Sequence, residues 1–136
     1  MEVIKLDELI EKARQAREQA YVPYSKFAVG AAVLTDDGHV FQGCNIENGS
    51  FSMTICAERC AMFSAVAAGY RHFKTIAIVA DTKRAVSPCG ACRQVMTEFM
   101  NADDQVILTN LNGDKIDTTV AGVLPYSFSL KDDPVK

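Results

Sequence analysis

No stretch of this sequence is basic enough to follow a phosphate backbone: the formal charge is −3, the pI is about 5.3, and the only basic clusters are Tyr70-Arg71-His72-Phe73-Lys74 and Lys83-Arg84. Affinity for nucleic acid grows with the number of phosphates neutralised, so nucleic acid is not expected as a partner and both clusters read as solvated surface. A long apolar run is missing as well. Met1 to Lys12 alternates charged and apolar residues, which predicts neither a secretory signal nor a membrane span and places the protein in the cytoplasm. There is no internal repeat and no low-complexity stretch, and the two histidines, His39 and His72, are isolated in polar surroundings and read as surface residues. The cysteine count is odd, at five, and two of them form a C-x-x-C. In a reducing compartment that argues against a disulfide framework and for metal or redox chemistry.

What is present suffices for one core: 136 residues, 49% of them hydrophobic, predict a single domain over residues 1–136. Leu6, Leu9, Ile10, Ala13, Ala16 and Ala20 recur at helical spacing, predicting an amphipathic helix over about 7–20 with Asp7 as N-cap. Val22-Pro23-Tyr24-Ser25 breaks it. The apolar run from Ala28 to Leu34, the Asp36-Asp37-Gly38 turn and Val40 to Ile46 read as a hairpin. Ile55 to Ala68 reads as a helix ending at Gly69, Thr75 to Ala80 as a parallel strand covered on both faces, and Gly90 to Met100 as a further helix. Val106 to Thr109 and Lys115 to Thr118 complete the strands, Thr119 to Leu124 is a last short helix, and the polar tail from Ser129 is expected to fray. The order predicts an α/β fold, a mixed sheet between helical layers, with both cysteine motifs at helix starts beyond strand ends.

Those motifs carry the chemistry. Cys56-Ala57-Glu58 and Pro88-Cys89-Gly90-Ala91-Cys92 offer three thiolates and one carboxylate. Catalytic zinc takes three protein ligands and leaves a fourth position open, whereas structural zinc is closed by four. Cys56, Cys89 and Cys92 supply three, while Glu58 lies about 200° round a helix from Cys56 and is left free for proton transfer. The positive ends of two helices favour the thiolates, and Arg59 can offset the surplus negative charge of a zinc–trithiolate by hydrogen bonding a sulfur. The set matches the signature of zinc nucleobase deaminases, H-x-E…P-C-x-x-C, with Cys in the His position. Two other readings stay open on the residues alone: a closed Cys₄ structural site that includes Cys60, and a redox pair at Cys89 and Cys92. Cys44 and Cys60 otherwise read as small buried hydrophobes.

Four segments match a known family in order and spacing. Pro23-Tyr24-Ser25-Lys26-Phe27-Ala28-Val29-Gly30-Ala31-Ala32, Gly43-Cys44-Asn45-Ile46-Glu47-Asn48, Cys56-Ala57-Glu58-Arg59 and Ser87-Pro88-Cys89-Gly90-Ala91-Cys92-Arg93-Gln94 closely resemble the small, homotetrameric, three-cysteine zinc cytidine deaminases. The resemblance runs from the first helix to Leu124-Pro125. It implies a three-layer α/β/α fold with a five-stranded mixed sheet, one Zn²⁺ per chain held by Cys56, Cys89 and Cys92, and Glu58 as the proton shuttle. It further implies that Phe27 packs on the pyrimidine, that Asn45 and Glu47 bind the ribose, that the main chain of Ala57 contacts the base, and that Phe128 caps a neighbouring subunit's site. On the residues alone, Phe27 would read as core and Asn45 and Glu47 as a turn. The implied reaction is hydrolytic deamination of cytidine and 2′-deoxycytidine, with release of ammonia, in pyrimidine salvage. Two positions depart from the family: Cys60 stands where relatives usually have Thr, and Phe51 where many have Tyr, which removes a hydroxyl from a subunit contact. The competing functions are a structural zinc module, a deaminase of an aminopyrimidine antibiotic such as blasticidin, and a polynucleotide editor, which would need a basic groove.

Overall fold

The structure, a computed structural model, describes residues 4–131; the end of the polar tail, residues 132–136, lies outside the described residues. The elements run α1 (Leu6–Arg17), β1 (Val29–Thr35), β2 (Val40–Cys44), a 3₁₀ turn at Phe51–Met53, α2 (Ala57–Ala67), β3 (Phe73–Ala80), α3 (Gly90–Phe99), β4 (Gln105–Asn110), β5 (Lys115–Thr119) and α4 (Val120–Val123). The five strands form one sheet in the order β2-β1-β3-β4-β5, in which β3 and β4 pair in parallel and the other neighbours are antiparallel. The expectation of a parallel β3 therefore holds on one side only. Its other neighbour, β1, is the first arm of a hairpin and must run opposite to β2, so β3 is parallel to β2 with β1 between them. Both β2-α2-β3 and β3-α3-β4 are then parallel crossovers that step across the sheet in the same direction. Crossovers of one hand put their helices on one face.

Alternation along the strands separates two cores. Ala31, Val33, Ile76 and Ile78 pack with Ala61, Met62 and Met96, on the face of α2 and α3. Ala32, Leu34, Ala77 and Val79 pack with Leu9 and Ala13 of α1 on the other. The three-layer α/β/α expectation is borne out. Two glycines set the layer spacing at the hairpin: a Cβ on Gly30 would lie 2.0 Å from the Ala13 carbonyl oxygen, and one on Gly43 would lie 2.3 Å from the Ala61 nitrogen. Any side chain at either position drives a helix off the sheet.

Three local expectations change. α1 begins at Leu6 with an extended Lys5 as N-cap, and Asp7 sits in the first turn, because Leu6 packs into the α1 core and draws the helix start back to itself. Cys44 and Cys60 are half-exposed, since Cys44 ends the edge strand β2 and Cys60 lies on α2 near it. His72 is no idle surface residue. Its Nδ1 lies 2.7 Å from the Asp36 carboxylate in the hairpin turn and its Nε2 lies 2.8 Å from Asp104 ahead of β4, so it braces the sheet edge opposite the cysteines. The basic cluster around it also buries Phe73 fully. Among the described residues no helix is long and apolar enough to cross a membrane.

With a carboxylate at each nitrogen, both nitrogens donate when the imidazole is protonated. Partial burial works to lower the pKa of His72, but the hydrogen bonds and charges of Asp36 and Asp104 outweigh it and raise it. A raised histidine stabilises the fold fully below its unfolded pKa, about 6.5, and the contribution fades as pH climbs through the folded value. His72→Gln is expected to lower the melting temperature by about 4 °C at pH 6 and by less at pH 8.5. Thermal melts at the two pH values check this; a loss that is the same at both would refute the protonated brace.

Candidate metal centre

Cys56 and Cys89 occupy equivalent places. Each is the extended residue immediately before a helix, with φ −77° and ψ 155° ahead of α2 and φ −70° and ψ 164° ahead of α3. Because α2 follows β2 and α3 follows β3, and those strands are parallel, both helix starts lie beyond the same edge of the sheet. That is where ligands bind in α/β sheets. Cys92, in the first turn of α3, is fully buried. The three sulfurs lie within 4.8 Å of one another, with the Cys56 and Cys89 Sγ atoms 3.7 Å apart, and can hold one metal ion. Cys60 does not belong to this group, so among the described residues no fourth sulfur closes it. Three soft thiolates and an open position suit zinc.

The electrostatics favour an ionised Cys56. The hydrogen bond from Cys92, against the cost of partial burial, and those from Arg59 and Cys89 bring the Cys56 thiol down to about 5. Cys92 moves above the ordinary thiol range because it keeps its proton in the bond to Cys56 and is buried. Arg59 donates from Nη2 to the Cys56 sulfur at 3.3 Å, and that bond holds the guanidinium protonated. Its Nε is buried without a hydrogen-bond partner, a penalty that neighbouring thiolate charge offsets. Glu58, only 4% exposed, is pushed up to about 7, chiefly by burial; its own main-chain N–H pulls the other way and the Cys56 charge adds to the rise.

The other anticipated residues form a second group. Phe27 is 43% exposed and does not belong to either core, at the end of a loop in which Lys26 takes a left-handed φ of 61°. Asn45 Oδ1 accepts from the Val29 N–H at 2.9 Å and its Nδ2 donates to the Phe27 carbonyl at 2.7 Å. The Glu47 carboxylate accepts from the N–H groups of Tyr24 and Ser25, at 2.9 and 3.2 Å, and from the Ser25 hydroxyl. Both side chains therefore hold the Phe27 loop, and Ser25, which also accepts from the Phe27 N–H at 3.0 Å, is a part of that scaffold the sequence reading passed over. The available signal was its place two residues before Phe27, the spacing of a serine turn. Ala57 opens α2, where first-turn N–H groups have no intrahelical acceptor. Phe128 stands apart from these groups, 62% exposed on the segment after α4.

Over residues 4–109 the sequence fits the family model of the cytidine and deoxycytidylate deaminase zinc-binding region. The chain belongs to the cytidine deaminase family. It is 60% identical to a cytidine deaminase of Sporosarcina psychrophila over 127 residues, 93% of each chain. To that of Halalkalibacterium halodurans it is 57% identical, over 91% of this chain and 94% of the other. The crystal structure of the cytidine deaminase from Burkholderia pseudomallei matches with a TM-score of 0.90 at 52% identity, covering 92% of this chain and 100% of that one. In this zinc-binding deaminase family the three-sulfur group fits one zinc ion per chain.

In the metal-free protein the raised Glu58 has a stability signature. From an ordinary value of 4.5 to the folded value of about 7, the native carboxyl keeps a proton that the unfolded chain has released, so stability falls as pH rises through that window. Metal-free Glu58→Gln escapes the loss and at pH 8 is expected to exceed metal-free wild type by up to about 3 kcal/mol. Denaturant unfolding at pH 5 and pH 8 measures it, and equal pH slopes for the two proteins would contradict the burial argument.

Proposed function

We propose that this protein hydrolyses the 4-amino group of cytidine and 2′-deoxycytidine, giving uridine and 2′-deoxyuridine with release of ammonia. The observation that carries the reading is the convergence of Cys56, Cys89 and Cys92 beside the buried carboxyl of Glu58. The three cysteines would hold zinc, which when bound supplies a Lewis acid that activates water near neutral pH. Glu58 then takes a proton from the attacking water, gives it to N3 of the base, and afterwards carries a second proton to the leaving amine. Burial holds this carboxyl out of water beside the site, and a carboxyl so placed can both accept and release a proton. Arg59, bonded to Cys56, offsets the negative charge of the thiolates.

For the substrate, the exposed ring of Phe27 offers a face to the pyrimidine and the Ala57 N–H a donor to the base. Asn45 and Glu47 would receive the ribose. A carboxylate has about four acceptor sites, so Glu47 retains capacity for a sugar hydroxyl beyond its three bonds to the loop. Its negative charge disfavours a 5′-phosphate. The exposed side chains of Phe51, Met53, Phe128 and Leu130 offer apolar surface to a partner subunit, and the family resemblance makes that assembly a homotetramer in which Phe128 caps a neighbour's site. We place the enzyme in the cytoplasm, in pyrimidine salvage, as one domain over residues 1–136.

Following ultraviolet absorbance loss on cytidine, deoxycytidine, their monophosphates and blasticidin S tests the reading. The two nucleosides should be turned over, the others far more slowly, and a zinc chelator should abolish the reaction. Glu58→Gln should keep its zinc and fold while losing at least about 10²–10⁴-fold in kcat. Near-normal turnover by that variant would refute the shuttle, and faster turnover of blasticidin S would refute the substrate.

A further inference from the structure

We infer that Arg93 is a positioning residue whose single guanidinium ties the Ser87–Cys89 loop, which carries one proposed zinc ligand, to the C-terminal segment that carries Phe128, so that metal retention and nucleoside binding share one brace. The inference rests on the reading above for the roles of Cys89 and Phe128.

Long helical side chains lean toward their helix N-terminus, and Arg93 reaches back over the first turn of α3 in this way. Its Nε donates to the Pro88 carbonyl at 2.8 Å and its Nη2 to the Ser87 hydroxyl at 2.6 Å. The third arm, Nη1, donates to the Val123 carbonyl at 2.5 Å. Pro88, buried just before Cys89, is thereby fixed through its carbonyl, its one main-chain hydrogen-bonding group. Val123 ends α4, where carbonyls lack intrahelical partners. This four-residue helix is too short to hold itself; Thr119 caps its start by accepting from the Gly122 N–H at 3.1 Å, and Arg93 closes its end.

Beyond Val123 the chain turns through Tyr126, at a left-handed φ of 58°, and crosses the end of α3 over a cleft of about 480 Å³. The segment is tied at both ends of this span. The far tie is Lys131, whose Nζ donates to the Glu98 carbonyl at 2.8 Å. Phe128 lies between the two, and both anchors belong to α3, the helix that carries Cys92 and begins just after Cys89. A guanidinium serves three acceptors in two segments because its donors form a rigid planar fork. Lysine, a point charge on a flexible stem, does not reproduce that.

The test compares zinc-loaded wild type with Arg93→Lys, Ser87→Ala, Phe128→Ala and the Arg93→Lys/Phe128→Ala pair. Arg93→Lys is expected to release zinc to a chromogenic chelator about tenfold faster or more. Its KM for cytidine should rise about tenfold while kcat per bound zinc changes less. Ser87→Ala should speed zinc release by a smaller factor and leave KM alone. In the Phe128→Ala background, Arg93→Lys should add nothing further to KM. Wild-type zinc release by Arg93→Lys, or KM effects that multiply in the double variant, would overturn the brace. A readout independent of Arg93→Lys folding uses wild type alone: stripping the zinc should speed amide hydrogen exchange across 124–128 about tenfold or more while leaving β1 unchanged. Unaltered exchange there would also overturn it. A protein that passes the zinc and exchange arms yet deaminates no cytidine would sink the proposed reaction and the nucleoside half of the inference, and leave standing only the tie from Arg93 between the Cys89 loop and the C-terminal segment.

Discussion

Three sulfurs within 4.8 Å of one another can be ionised together, as a metal ion requires, only if the negative charge on them is stabilised, and much of this molecule is arranged around that requirement. The stabilisation comes from two helix starts and one guanidinium. Both helix starts face one point because β2 and β3 are parallel across β1 and their crossovers share a hand, which puts α2 and α3 on one face of the sheet. Arg59 then sits one turn into α2, beside Cys56. Topology brings the sulfurs together, and a local cation makes their ionisation affordable.

The same arrangement imposes costs that are offset elsewhere. A buried carboxyl at position 58 works against stability above pH 7 in the metal-free chain, and the orphaned Arg59 Nε works against it at any pH. The compensation is tight layer packing, with Gly43 letting β2 lie almost against the backbone of α2, and a pinned far edge, where His72 joins the hairpin turn to the approach of β4. The desolvated carboxyl of Glu58 and the orphaned Arg59 Nε thus both sit at the sheet's ligand-binding edge.

How much of this was legible in the sequence follows from how local each determinant is. The elements and both helix starts at Cys56 and Cys89 could be read because hydrophobic periodicity and the breakers Gly38, Gly69 and Pro88 act over a few residues. The zinc ligands could be read because donor chemistry is carried by residue type. The bridge of His72 was not legible, since Asp36 and Asp104 lie 36 and 32 residues away and become neighbours only through strand order. The mixed pairing of β3 was hidden likewise, because a continuous apolar run records burial on both faces and says nothing of direction. Phe27, Asn45 and Glu47 came from resemblance alone, and their own residue types suggested core and turn. That turn reading was half right, as Asn45 and Glu47 do hold a loop.

Those bonds to the loop carry a thermodynamic consequence. The Phe27 loop is already immobilised by six hydrogen bonds, five to the side chains of Asn45 and Glu47 and one from the Phe27 N–H to the Ser25 hydroxyl, before any ligand arrives. An incoming base would therefore meet a surface whose conformational entropy was surrendered during folding, so association need not pay for ordering it. Encounter with such a site is closer to docking on a finished template than to moulding around a guest.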